Sequence, residues 1–283
     1  MKTLRCLSAL CLIIFFIPVR GISQDKIIFK PITQPNSTYT MVTVTDSDMI
    51  MTIKGSKEIV DAMKSAGLNF PMAIKAQQTS EMVSVVQGVN ADGEKPVTST
   101  ISKGGGYSMV NGQKVELPNH FDKVQMFTRI DSEENVKLDS IVGDISEDLK
   151  EQLRKMVTKR IVVFPDRPLG VGDTFDNEFP MEMPVKGMNF GMLVKTKFKV
   201  KSITAEEVTF DVRQKLEMSV KASGQKMKIE LEGGGDGVAI YNRADSLLKT
   251  FDTLIKMDMV IEMEGAKMMI TGDATSKLTM TKS

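Results

Sequence analysis

Phe251-Asp-Thr-Leu-Ile-Lys-Met-Asp-Met-Val-Ile-Glu-Met-Glu-Gly-Ala-Lys-Met-Met-Ile-Thr-Gly-Asp-Ala-Thr-Ser-Lys-Leu-Thr-Met280 is the stretch that decides the fold. Before Gly265, Phe251, Ile255, Met257, Met259, Ile261 and Met263 share one parity, while Asp252, Lys256, Asp258 and Glu262 take the other. After it, Met268, Ile270, Leu278 and Met280 continue the apolar parity with the small residues Gly272, Ala274 and Ser276 between them. Period two over this length marks two half-buried β-strands, each with one wet face. Glu264-Gly265-Ala266-Lys267 has glycine at the first central position, as a tight type II′ turn requires. Folding about it pairs Met263 with Met268, Ile261 with Ile270, Met259 with Gly272, Met257 with Ala274, Ile255 with Ser276 and Phe251 with Met280. A one-residue slip would turn every side chain over, so the apolar parity is strongly specified. Strands of about fifteen residues reach roughly 50 Å. Flat sheets of that size are unusual, which predicts strong twist or curling into an open barrel.

Upstream the pattern repeats. Val194, Thr196, Phe198 and Val200 alternate with Lys195, Lys197, Lys199 and Lys201, and Val208–Lys221 returns with Val208, Phe210, Val212, Leu216, Met218 and Val220 inward. A turn at Ile203–Glu206 would set Lys201 opposite Glu207 and Lys197 opposite Asp211, cross-strand pairs of a few tenths of a kcal/mol each. Lys226–Glu232 supplies the next strand. In the amino-terminal half, Thr38–Thr45 and Met49–Lys54 flank a turn at Asp46-Ser47-Asp48, and Met72–Thr79, Glu81–Val89 and Val97–Ser102 are further strands. Tyr107–Val110 and Gln113–Leu117 straddle Asn111-Gly112, a strong hairpin signal. Val124–Ile130 and Asn135–Val142 make another pair. Two segments have helical spacing. Ser56–Ala66 ends at Gly67. Ser146–Arg160 has a serine cap, acids in its first turn and bases in its last.

The expected fold is mainly β, of α+β type: a large curved antiparallel sheet or open barrel with one or two packed helices. It forms a single β-rich domain over 24–283, or two β halves (38–143 and 161–283) joined by a helix at 145–160. Triple glycines follow a strand in each half, Gly104–Gly106 and Gly233–Gly235, and raise the question of a duplicated half.

Residues 1–23 have the layout of a secretory signal peptide. Lys2 and Arg5 precede an apolar run from Leu7 to Val19, too short to span a bilayer, and Gly21 and Ser23 provide small residues for cleavage before Gln24. The expected location is therefore periplasmic or extracellular. The two cysteines, Cys6 and Cys11, lie in that segment, so disulfides, thiolate nucleophiles and cysteine-based zinc sites are excluded downstream. The whole chain has 37 basic and 36 acidic side chains; without Lys2, Arg5 and Arg20 the balance is 34 against 36, near −2. Such neutrality argues against nucleic acid as a partner, and no later run has the length of a transmembrane segment.

The residues offer little catalytic chemistry. His120 is the one histidine, which rules out histidine-rich metal sites, and no Gly-x-Ser-x-Gly elbow accompanies it. Asp46-Ser47-Asp48 lacks the loop spacing of an EF-hand and reads as a plain turn. Neither glycine cluster is followed by Lys-Ser or Lys-Thr, so a bend in a curled sheet is the better reading than a phosphate loop. The lysine row at 195–201 is a solvated sheet face. No cofactor and no enzymatic activity are expected.

Methionine is the compositional outlier: 22 residues, twelve of them from Met181 onward, in a chain without tryptophan. Its flexible, polarizable thioether fills irregular cores and lines promiscuous apolar sites. Gly272, Ala274 and Ser276 in line opposite larger side chains would leave a groove. The groove is filled either by the Ser146–Arg160 helix or by an apolar, lipid-like ligand. On the second reading the binding residues are Met257, Met259, Met263, Gly272 and Ala274. Met181, Met183 and Met188 would then belong to an apolar flap, Phe179–Phe190, whose Pro180 and Pro184 disqualify it as a central strand. The rival is a structural or protein-interaction module of the cell envelope with a filled core.

Pro168-Leu169-Gly170-Val171-Gly172-Asp173-Thr174-Phe175, preceded by Phe164-Pro165, resembles the Pro-x-x-x-Gly-Asp-x-aromatic passage of exported Bacteroidota proteins in a domain family without assigned function. The resemblance implies export and a β-rich build, and it supplies no catalytic residues. More loosely, a long antiparallel sheet with one or two helices looks like the periplasmic lipoprotein-carrier folds, whose concave face holds acyl chains.

Overall fold

The computed structural model describes residues 26–117, 121, 123–157, 162–185, 188–221 and 228–283. The amino-terminal half contains β1 (Ser37–Gly55), α1 (Lys57–Ser65), β2 (Met72–Val86), β3 (Lys95–Val110), β4 (Gln113–Leu117), β5 (Gln125–Ile130), β6 (Val136–Val142) and α2 (Glu147–Val157). The carboxy-terminal half contains β7 (Thr174–Val185), β8 (Met188–Ile203), β9 (Glu207–Lys221), β10 (Lys228–Asn242), β11 (Leu247–Met263) and β12 (Ala266–Lys282). All the strands join one mostly antiparallel, curved and unclosed sheet in the order β6-β5-β3-β2-β1-β12-β11-β10-β9-β8-β7, with β4 paired to β3. The two halves are successive meanders that meet side by side at the β1/β12 ladder.

Each long strand runs between two ends of the sheet. One end, the base, collects Ser37, Val86, Lys95, Ile130, Thr174, Asn242 and Lys282; the other, the tip, collects Gly55, Met72, Val110 and the β11–β12 turn. The period-two pattern gives the sheet an apolar face and a charged face, as one buried side of an antiparallel sheet demands.

One expected turn and two expected strand breaks are absent. Asp46-Ser47-Asp48 lies inside β1, where Ser47 pairs with Ala76 and Ala274 and the two aspartates point to the charged face. There Asp46 accepts a hydrogen bond from Gln77 and Asp48 pairs with Lys75. The two strands expected either side of Ser80 are one, β2, and Gly104–Gly106 continues β3 rather than ending it.

Two registers also differ by two residues from the expected ones. In the final hairpin Gly265 occupies the second central position, at φ +78°, and the turn is Met263–Ala266. Met257 therefore faces Gly272, Met259 faces Ile270 and Ile261 faces Met268. The positive φ at the second position belongs to a type II turn, so the two-residue loop sits one residue earlier than the type II′ placement implies. An even shift leaves the apolar parity intact. Likewise Lys199, not Lys197, lies opposite Asp211: the loop closes at Thr204 and Glu207, three positions from the expected register, and the irregularity between Val200 and Ser202 takes one back, which keeps the apolar parity.

Missing side chains let adjacent strands approach closely. A Cβ on Gly235 would lie 1.8 Å from the carbonyl oxygen of Leu254, and one on Gly272 would lie 2.2 Å from that of Asp48. Neighbouring backbone occupies the space, so no side chain fits at either position, and the β10 ladders run through Gly233–Gly237 without a shift of register. The glycine clusters lie on β3 and β10, each third outward from the β1/β12 seam. They fall on the third strand of one half and the fourth of the other, so the two clusters do not occupy equivalent places in a repeat of the chain.

The main core sits at the base. Phe29, Phe164, Phe175, Phe198, Phe210 and Tyr241 interlock there, with Phe175 stacked on Phe198 at 4.8 Å and Phe29 on Phe164 at 4.9 Å. The Pro168–Phe175 passage is part of this core. Leu169 is fully buried and bridges to Ile27, the Gly170 N–H donates to Asp173, and Gly172 turns at φ +91°. From Ile27 the N-terminal segment continues to the opposite side of the base. There the Thr33 N–H donates to Glu134, and Lys95 donates to both the Thr33 carbonyl and Glu134. Tyr39 accepts from the Gln34 N–H, and Lys282 donates to Gln34 and Asp245.

The helices sit at the periphery. α2 has the expected serine cap, with the Leu149 N–H donating to Ser146 Oγ, and meets the sheet at β6. α1 ends at Gly67, at φ +86°, and meets β1.

Candidate functional site

The tip half of the apolar face is the candidate. Rows across the ladders show how it is assembled. One row runs Leu216–Gly233–Met257–Gly272–Met49–Ile74 and the next Met218–Leu231–Met259–Ile270–Met51–Met72. Nearer the tip, Ile229, Ile261, Met268 and Ile53 share a row. Six strands therefore contribute to a continuous alkyl and thioether surface.

Burial grades along it. On the β8–β10 side Met192, Leu216, Met218, Ile229 and Leu231 are a buried cluster, flanked by partly buried Val194, Ile255, Met259 and Ile261. Toward β12, β1 and β2 the same face is half-buried, including Met268, Met49, Met51 and Met72. The Ser146–Arg160 helix was one expected filler of the groove. α2, its part among the described residues, packs at β6, on the far edge of the amino-terminal half, and the N-terminal segment and residues 162–169 pack at the base.

The structure gathers five of the expected residues on one surface. Met257, Met259, Met263, Gly272 and Ala274 share the apolar face of β11 and β12, all half-buried. Gly272 contributes as backbone, since its lack of a side chain follows from the approach of Asp48. Met181, Met183 and Met188 belong to the β7–β8 hairpin, in register with Met192, Phe190 and Val185. The expected flap is thus a strand laddered to β8 from Thr174 to Val185, and its two prolines sit at a sheet edge, where an unpaired side tolerates them. The side chains of those three methionines lie outside the described residues, as does His120.

Met49, Met51, Met72 and Met268 were not expected at the site. Asp48, Thr52 and Lys267 beside them carried the period-two signal, and Met268 already shares the apolar parity of the final hairpin. For Met49, Met51 and Met72 the signal was masked because Ile50 and Ala73 interrupt it and β1 and β2 looked like short separate strands.

The opposite face has the reverse chemistry. Lys195 pairs with Glu217, Lys197 with Asp176, Lys201 with Asp211, and Arg213 with Asp236. Hydrogen bonds from Lys215 and Lys195 hold the Glu217 carboxyl below its ordinary pKa, and Lys267 does the same for Glu262. At the base, burial raises the Tyr241 phenol against a smaller opposing hydrogen bond with Ser246. No group of three or more metal-ligating side chains occurs among the described residues. No helix among them is long and apolar enough to cross a membrane.

Comparison with known proteins adds little. No family model matches the chain, and no curated protein does. Among solved structures, the crystal structure of Pseudomonas aeruginosa OccK5 (OpdH) is similar over 86% of this chain and 98% of its own, at 8% identity and a TM-score of 0.22. A likeness at that level fixes neither fold nor function.

Proposed function

We propose that this protein is an exported, non-enzymatic binding module that holds an apolar, lipid-like ligand against the methionine rows at the tip of its sheet. Export rests on the charged, apolar and small-residue order of residues 1–23, and the Pro168–Phe175 resemblance points the same way. The charged rows on the other face favour work in water, since a membrane barrel turns an apolar band outward.

One observation carries the binding reading. The methionines of β11, β12, β1 and β2 form a contiguous apolar surface that stays half-buried; α2 meets the sheet away from it, at β6, while α1 lies beside the tip, against β1. Extended exposed apolar surface marks an interaction site, and methionine suits one that accepts ligands of variable shape.

The test uses residues 24–283. Native mass spectrometry of protein prepared without detergent should show a bound mass, and neutral N-phenyl-1-naphthylamine should fluoresce on binding. Met49→Gln combined with Met259→Gln should weaken the probe about tenfold, in line with polar groups replacing two buried apolar contacts. A ligand-free mass together with no probe uptake would overturn the reading in favour of an envelope interaction module with a filled core.

A further inference from the structure

Three of the methionines at the tip share one cell of the sheet. Met49 and Met51 are next but one to each other on the same face of β1, and Met72 of β2 lies directly opposite Met51. Ile74, opposite Met49, is the fourth corner. Same-face neighbours along a strand stand about 7 Å apart, directly opposite residues about 5 Å and diagonal ones about 7–8 Å, within reach of long side chains. Three unbranched thioethers at that spacing can converge on one point above the cell. Among the cells whose four side chains are all described, no other holds three methionines.

The surroundings favour sulfur as the one ligand type. The adjoining positions on this face are Ile53, Ile74, Ile270 and Gly272, none with a side-chain oxygen or nitrogen. Residues 24–283 contain no cysteine to compete for a soft ion. All three methionines are half-buried rather than sealed, and the partner of Met49 on β12 is Gly272, so no side chain stands beside it there. An ion arriving from water therefore has a way in.

We propose that Met49, Met51 and Met72 form a thioether site for a soft monovalent cation, copper(I). Thioether sulfur selects copper(I), whereas magnesium and calcium seek oxygen ligands. A thioether is neutral and has no proton to lose, so binding lacks the pH dependence of cysteine or histidine sites. The site does not depend on the apolar ligand proposed above.

Residues 24–283 should take copper(I) from bicinchoninate in the presence of ascorbate, equally at pH 5 and pH 8, and X-ray absorption should show a shell of sulfur alone. Leucine conserves volume and apolar character. Met49→Leu combined with Met51→Leu and Met72→Leu should therefore bind N-phenyl-1-naphthylamine as the parent does. The same triple variant should lose copper(I) affinity by about tenfold or more, since even groups outside a metal's ligand set cost about that much. Met259→Leu with Met268→Leu, on the same face but outside the cell, should leave copper(I) binding unchanged. No transfer from bicinchoninate, a nitrogen or oxygen shell, or equal copper(I) affinity in the triple variant and the parent would each overturn the proposal. So would an equal loss in the Met259/Met268 variant. Copper(I) binding by a parent that takes up no N-phenyl-1-naphthylamine would count against the apolar-ligand reading and leave this site standing.

Discussion

At the scale of single residues, glycine lets the strands beneath the candidate site approach one another closely. Gly235 sits where β10 presses against β11, with Leu254 O at 1.8 Å and the Ile255 Cα at 2.8 Å from where a Cβ would be. Both are backbone atoms, so no rotamer change relieves the contact. Gly235→Ala should therefore destabilise the protein by about 1–3 kcal/mol, the range for overpacking a well-packed site. Gly191→Ala meets nothing within 4 Å and should stay within about 0.5 kcal/mol of the parent. Urea midpoints of the two variants measure the difference, and equal midpoints would show that the strands at Gly235 have room to part. Gly265 acts through its dihedral instead: φ +78° at the second central turn position fixes the register of the whole final hairpin.

At the scale of elements, the short strands β5 and β6 depend on charge as well as on the small cluster of Val86, Val97 and Ile130. Arg129 of β5 forks onto Asp139 and also reaches Glu94, which Lys137 pairs from the other side. Hydrogen bonds from Lys137 and Arg129 hold the Glu94 carboxyl below its ordinary pKa, and Arg129 does so for Asp139. A carboxylate depressed in the folded state contributes stability above its unfolded pKa of about 4, and that contribution is lost as pH falls through the folded value. The denaturant midpoint should therefore fall between pH 6 and pH 3, and Glu94→Gln should flatten that fall; an unchanged slope would remove the network from the account. The strands themselves were legible from period two, because one buried face writes its parity into the sequence. Their continuity was not. Apparent breaks at Asp46–Asp48, Ser80 and Gly104–Gly106 fall on adjacent rows of the sheet, where Thr43 pairs with Ser80 and Ser80 with Gly104. Small and polar side chains cross three strands there. A belt of small and polar side chains erases the apolar alternation locally, so the sequence reads as turns what the ladders show as continuous backbone. The same erasure hid Met49, Met51 and Met72.

At the scale of the molecule, the β1/β12 seam joins two meanders that are otherwise consecutive in the chain. Its partners are far apart in sequence: Val44 and Lys277 face each other across 277 − 44 = 233 positions. Pairings of that separation carry a large loop-closure cost, so β1 has to wait for β12 before half of the sheet gains a neighbour. A covalent link at the seam should therefore act mainly on the unfolded chain. Residues 24–283 contain no cysteine, so Val44→Cys with Lys277→Cys introduces a pair that has only itself to react with. The disulfide should form under mild oxidation, raise stability by up to about 5 kcal/mol for so long a loop, and lose that gain on reduction. Val44→Cys with Thr275→Cys probes a two-residue slip, the same size of shift that separates the expected and observed registers of the final hairpin. In the observed register Thr275 faces Asp46, so this second pair should stay reduced under the same conditions. Cross-linking of the slipped pair in preference to the first would place the seam in another register, and with it the methionine rows that the seam carries from β12 onto β1.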